Sequence, residues 1–402
     1  MKHTVFLSVL AFALAASAVP TVTITRAQQR FPWNGLVDID YTVSGLEGDV
    51  ADYTLGVSVK ATVKGVETTY AASNFLDWAA CDLPVAEGAH RITWIASADG
   101  ATFASDSVKV SAALTYDPIS SEEADYIIVD VSGGALATTY PARFVRGAAI
   151  DTRTFCKDTY RLTRVVLKKV CAGSFWMGPG NVSSGSNRHY VTLTKDFFLG
   201  IFPVTQGQFL NVTGTNPTNA GFTGSRTWTV FCNLQQGLLD SNSFASLLNA
   251  RVRYHGLPVG AFTLPTESQW EYACRAGTQT AYYWGSDKTT AAEAAKYMFT
   301  KECKGADNKV LLSVGSKLPN AWGFFDMLGS ALEYCRDLYG TYPTSDEENP
   351  AVDPVGVNGT QYPIRGSSHI NAYTDWNCGT RNPGNATTIG NGDYVGIRVS
   401  CE

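Results

Sequence analysis

Charge is what this chain has least of. Only 17% of its 402 residues are Asp, Glu, Lys or Arg, and the formal net charge is −5. That excludes a basic footprint for nucleic acid or an anionic lipid surface. Histidine is scarce, five in all, too few and too scattered for a histidine-rich metal domain. No phosphate-cradling glycine loop and no Gly-x-Ser-x-Gly elbow occurs. No apolar run, the N-terminal one included, is long enough to span a membrane stably. What is present is aromatic and apolar: 12% Phe, Trp and Tyr within 45% hydrophobic residues. That composition argues against disorder, and the length suggests two domains, each able to bury a core.

Residues 1–18 read as a secretory leader. Lys2 and His3 form a short basic start, Val5 to Ala15 an apolar run, and Ala16-Ser17-Ala18 an A-x-A cleavage site. The expected location is therefore secreted or extracytoplasmic, where disulfides among the nine cysteines would persist.

Residues 19–115 alternate with period two in VTITRA, VDIDYTVSG, YTLGVSVKATV, HRITWIASA and SVKVSAALTY, separated by turn residues. This predicts an antiparallel, Ig-like β-sandwich with Trp94 in its core and Trp33 in a turn. Cys81 stands alone in it and reads as a free thiol. Residues 116–160, with the polar break SSEEAD, read as a linker that can still supply one or two strands, and a further domain fills 161–402. There TRVVLKKVCAGSFWMG (163–178) reads as a strand flanked by Cys156 and Cys171. A helix is predicted from Glu267 to Arg275, with Thr266 and Gln269 forming a capping box. Others are predicted near Val204–Val212 and Thr227–Leu238. The overall class is α+β.

The stretch LPNAWGFFDMLGSALEYCRDLYG (318–340) combines a rigid start, glycine turns and two acids. Asp326 and Glu333 can offer carboxylate oxygens, and Gly329 and Ala331 carbonyls, which is the donor type calcium takes. Two solvated acids beside a buried helix would show the same spacing.

This stretch resembles the PNxxGLxDMxGNVWEWCxDWY motif of the formylglycine-generating, or sulfatase-modifying-factor, family. FPVTQGQF (202–209), LPTESQWEYACRAGT (264–278), IRGSS (364–368) and VGIRVSC (395–401) resemble further motifs of that family in the same order. The resemblance implies a variant of the C-type lectin fold over the C-terminal two-thirds. It implies a structural calcium ion on Asp326, Gly329, Ala331 and Glu333, although Ser330 replaces the family's asparagine. It also implies disulfides Cys274–Cys378 and Cys232–Cys401. Cys335 reads as a core residue, with Cys303 as a possible partner.

Active members of the family bind copper(I) through two cysteines that follow the RGGS segment. Here Asn371 and Trp376 occupy those places. An amide oxygen and an indole N–H do not replace soft thiolates, so copper is not expected. The segment instead presents His369, Asn371, Tyr373, Asp375, Trp376 and Asn377, a composition suited to recognition. Two functional readings follow. One is a secreted, non-catalytic pseudoenzyme that binds a protein or glycan ligand through the loop 367–378. The other is a copper-dependent oxidase that makes formylglycine from sulfatase cysteines with thiols recruited from elsewhere.

Overall fold

The computed structural model describes residues 19–30, 35–46, 50–63, 65–101, 108–179, 188–218, 220–303, 311–387 and 394–402. The expected leader and Trp33 lie outside them. Two compact units emerge. One comprises the described residues up to Leu76 together with Ala80–Asp117; the other comprises Asp77–Ala79 and Pro118–Glu402. Both units are strand-rich; among the described residues the α-helices lie in the second, and the first has only short 3-10 turns.

The first unit holds two three-stranded antiparallel sheets. One orders β1 (Thr21–Gln29), β2 (Leu36–Ser44) and β5 (Gly88–Ile95); the other orders β4 (Val66–Ala71), β3 (Tyr53–Val63) and β6 (Val108–Tyr116). The alternation in sequence becomes alternation in burial: Val37, Ile39, Tyr41 and Val43 on β2 are buried while their neighbours are not. Trp94 is fully buried, and its indole donates to Asp99 at 2.6 Å.

The second unit is built on an eight-stranded sheet. Its β7 (Tyr126–Asp130) and β8 (Tyr140–Val145) come from the segment expected to be a linker. These are the two strands the segment was expected to be able to supply: all five residues of YIIVD pair with β9 (Arg164–Val170), and four of them are buried. The predicted single strand at 163–178 is two, β9 and β10 (Gly173–Met177), and β10 pairs with β11 (His189–Leu193). The sheet is completed by β12 (Phe197–Gly200), β13 (Val252–Tyr254), β14 (Leu257–Pro258), β15 (Phe262–Thr263) and the last strand, Ser400–Cys401. A second sheet carries the loop of interest. It orders Arg381–Gly384, Tyr362–Gly366, Leu332–Tyr334 and Val395–Gly396.

Two predicted helices form as read. Gln206–Thr213 is capped by Thr205 and Gln208, and Glu267–Arg275 by Thr266 and Gln269, each with both capping-box bonds present. The third does not form over 227–238. Only a π-helical turn, Gln235–Leu239, appears there. The backbone before it is drawn into tertiary pairing: Val230 N–H donates to Val204 O, and Cys232 N–H donates to Val395 O. Three short helices were not predicted: Asp158–Thr163, Phe244–Arg251 and Ala291–Tyr297.

Candidate functional site

The loop 367–378 is held from below by buried charge. Arg365 is fully buried beneath it and pairs with Glu267 at 2.8 Å and Glu271 at 2.5 Å. The same guanidinium donates to Cys378 O at 2.6 Å, so both ends of the loop are tied to one side chain. Glu271 also accepts from Arg275 and from the Gly178 N–H. Burial opposes its charge, but Arg275 and then Arg365 hold its carboxyl below the ordinary range. Glu267 and Glu271 project from the first two turns of helix Glu267–Arg275, four residues apart and therefore on one face.

Inside the loop, polar side chains close turns. Asn371 Oδ1 accepts from the Ser368 N–H at 2.8 Å and its hydroxyl at 2.7 Å. Asp375 accepts from the Ala372 N–H, and Asn377 from the Gly379 N–H. The expected recognition surface therefore divides. Asp375 is exposed, and Asn371, Tyr373 and Asn377 are half-buried. Trp376 is not on the surface: only 5% of it is exposed, and it packs into the main core of the unit.

His369 is also corrected. Its ring is fully buried, stacked near-parallel on Phe231 and edge-on to Phe222 and Tyr394. Its backbone N–H donates to Ser330 O at 3.1 Å, with Nδ1 3.3 Å from the same oxygen. An aromatic pocket of three rings, two from the 222–231 stretch and one from Tyr394, encloses the imidazole. Sequence reading missed Phe222, Phe231 and Tyr394, and no local spacing connects them.

Ser330 O joins this pocket to the 326–333 stretch. Asp326, Gly329 and Ser330 all take positive φ, at 54°, 93° and 68°. At Gly329 a Cβ would stand 2.4 Å from Phe299 N, so glycine is required. Glu333 accepts from the Trp270 indole at 2.7 Å and from Arg398 at 2.8 and 3.0 Å. Asp326 Oδ2 accepts from the Gly315 N–H at 2.7 Å. Burial raises the Asp326 carboxyl above its ordinary range, and the charge of Glu333 adds to the rise against Arg398. Both Glu333 oxygens are thus committed to Trp270 and Arg398, and Asp326 is held by Gly315, so a cation on these residues would have to displace the Arg398 guanidinium. The positions expected to hold copper do not fit it: Asn371 is committed to Ser368, and Trp376 is buried.

All nine cysteines are thiols here. Cys274 and Cys378 are fully buried and hydrogen-bonded to one another. Burial, then Cys378, pushes Cys274 well up; Cys378 is drawn below its ordinary value against its own burial, by the Cys274 bond and Arg275. Cys232 and Cys401 are also buried, but Cys232 is raised by burial alone, and Cys401 by burial and Glu402. Cys156 and Cys303 are half-buried, Cys171 is exposed, and Cys335 is buried.

Comparison with known proteins bears on residues 158–402, which match the family model described as "Sulfatase-modifying factor enzyme 1-like domain". The formylglycine-generating enzyme of Streptomyces coelicolor is 32% identical over 114 residues, 27% of this chain and 36% of that protein. The serine/threonine-protein kinase pkn1 of Chlamydia pneumoniae is 25% identical over 242 residues, 56% of this chain and 36% of that protein. The chain thus spans about a third of the length of these curated relatives. Among solved structures, Treponema denticola variable protein 1 aligns with a TM-score of 0.47 at 23% identity, covering 59% of this chain and 95% of that one.

Proposed function

The chain belongs to the sulfatase-modifying factor enzyme 1-like family through residues 158–402, and on that premise we propose that it is a non-catalytic, secreted binding module. One observation carries the reading. Where the family's oxidases need two accessible thiolates, this chain has an amide locked in a turn and a buried indole. Cys274 and Cys378 are fully buried, where a peptide substrate does not reach; Cys303, beside the Glu302 that accepts from the Tyr373 N–H, is half-buried. The alternative, a copper-dependent oxidase of sulfatase cysteines, would need a second thiol beside Cys303 to open to solvent at that loop.

The ligand surface in this reading is narrower than the sequence suggested. It consists of Asn371, Tyr373, Asp375 and Asn377, with Thr374 between them, on a loop fixed at its base by Arg365. A rigid platform with exposed polar groups loses little conformational entropy on binding. Asp326 and Glu333, with the carbonyls of Gly329 and Ala331, would hold a structural calcium ion by displacing the Arg398 guanidinium. That ion would neutralise buried charge beneath the His369 pocket. The first unit would serve as an Ig-like sandwich and the second as a C-type-lectin variant.

The test is an array of glycans and peptides probed with wild-type protein and with a Tyr373→Ala, Asp375→Ala variant. A ligand bound by the wild type and lost by the correctly folded variant is expected. Equal binding by both would remove the loop from the account.

A further inference from the structure

A cleft of about 440 Å³ opens beside the Arg365 ion pairs, between the stretch 337–343 and the segment 351–358. Its volume falls within the range of small-molecule sites. Its rim is apolar and open to solvent. Val352, Val355 and Val357 all line it and are all exposed, a cluster of large apolar side chains along one short segment. On another wall the His189 and Tyr342 rings stand against each other, their centroids 4.4 Å apart.

The polar groups at its floor are committed, with one exception. The described lining holds two acids, Glu267 and Asp337, and one arginine, Arg381. Arg381 donates to Glu267 from Nε at 2.6 Å and from Nη2 at 2.7 Å, so those two charges answer one another. The Ser268 hydroxyl is engaged with Thr266 and with Pro354 O. Asp337 is the exception. It is buried, and the ion pairs of the neighbouring core run from Arg275, Arg365 and Arg381 to Glu267 and Glu271; none among the described residues reaches Asp337. Its carboxylate takes backbone N–H groups instead: that of Glu267 at 2.8 Å, its own and that of Gly356. The Glu267 N–H belongs to the first turn of helix Glu267–Arg275, whose positive end favours an acid there. These bonds do not offset burial and the charge of Glu267, which hold the carboxyl up at about 6. At neutral pH Asp337 is therefore mostly ionised, in the wall of a cleft, with no side-chain counter-ion. A carboxylate has about four acceptor positions, so room remains for a donor arriving from the cleft.

The combination selects a ligand. The unanswered charge favours a cation that brings its own N–H donors, and the valine rim favours an alkyl body that leaves water on entering. A planar guanidinium pairs best with both oxygens of a free carboxylate, but Oδ1 of Asp337 is bound to the helix. A compact ammonium needs only one oxygen. We propose that this cleft binds a small primary aliphatic amine, its ammonium on Asp337 and its chain along Val352, Val355 and Val357. The site is distinct from the loop surface proposed above and does not depend on it.

Isothermal titration of the purified full chain at neutral pH with n-pentylamine, n-pentanol, pentanoate and ammonium chloride tests this. The amine should bind at least about tenfold more tightly than any of the others. Pentanol lacks the charge, pentanoate has the wrong sign, and ammonium lacks the chain. Asp337→Asn, which keeps an oxygen for the Glu267 N–H, should weaken amine binding by about tenfold or more and bring it level with pentanol. Val355→Trp adds bulk at an exposed rim position. It should abolish amine binding, and it keeps the test decisive if Asp337→Asn misfolds. The proposal is overturned if the amine does not bind, if pentanol, pentanoate or ammonium binds as tightly, if folded Asp337→Asn binds the amine as the wild type does, or if Val355→Trp has no effect.

Discussion

The guanidinium of Arg365 donates to the carbonyl of Cys378 at 2.6 Å, and that bond joins the two ends of the loop 367–378. Arg365 has no exposed surface and answers two buried carboxylates at once. The loop is therefore an extension of a buried ionic core, and its shape depends on that core.

Removing one member of the core should be costly. Glu271→Ala leaves Arg275 and Arg365 without a shared carboxylate and the Gly178 N–H without its acceptor. A loss of about 3–5 kcal/mol is expected, because an uncompensated buried charge remains. Urea denaturation of the variant against wild type measures it.

Calcium should stabilise the wild type and not Asp326→Asn. A ligand that binds only the folded state at about a hundred times its Kd adds about 2.7 kcal/mol. Melting curves with calcium and with EDTA should differ for the wild type and coincide for the variant. Identical wild-type curves would remove the ion from Asp326 and Glu333.

Cys274 and Cys378 already touch as thiols, and under oxidising conditions they should form a disulfide. In the chain-entropy account a bridge closing a loop of more than a hundred residues stabilises by about 4.7 kcal/mol if unstrained. Peptide mapping of oxidised, non-reduced protein should recover the two cysteines linked. Recovery of Cys378 alkylated as a free thiol would contradict this.

Asp337 gives a pH dependence of defined sign. Burial, then the charge of Glu267, raises its carboxyl from 3.8 to about 6 in the folded state. The folded protein therefore holds this proton more tightly than the unfolded chain does. Its contribution is fully present below about pH 4 and is lost as pH rises through about 6, a change on the order of 3 kcal/mol. Asp337→Asn keeps an oxygen for the Glu267 N–H and should flatten that part of the stability profile. An unchanged slope between pH 4 and 6 would rule Asp337 out as its source.

Local rules were legible where local bonds decide the structure. Thr205 with Gln208 and Thr266 with Gln269 form capping boxes that can be read from four residues. The burial of alternate residues on β2 follows from period two. Ser243 and Thr290 also cap helices, but those helices are short and their patterns weak. Thr227–Leu238 looked helical because its alternative partners, Val204 and Val395, lie far off in sequence. The loop itself was located correctly, but its side-chain directions were not legible. His369 and Trp376 are polar or amphipathic residues in a polar segment. Only the pocket formed by Phe222, Phe231 and Tyr394, and the core around Trp376, show that both point inward. The salt bridges of Arg365 and Arg381 cross roughly a hundred residues, and no spacing rule connects such pairs.

The central claim is that this family member does not perform the family's oxidation. The most direct measurement is an aldehyde-trapping assay on a peptide carrying Cys-x-Pro-x-Arg, with purified protein supplied with copper. No aldehyde above the protein-free control is expected, since Asn371 and Trp376 provide no thiolate pair for copper(I). Aldehyde formed above that control, and lost when copper is chelated, would contradict the account and establish an oxidase.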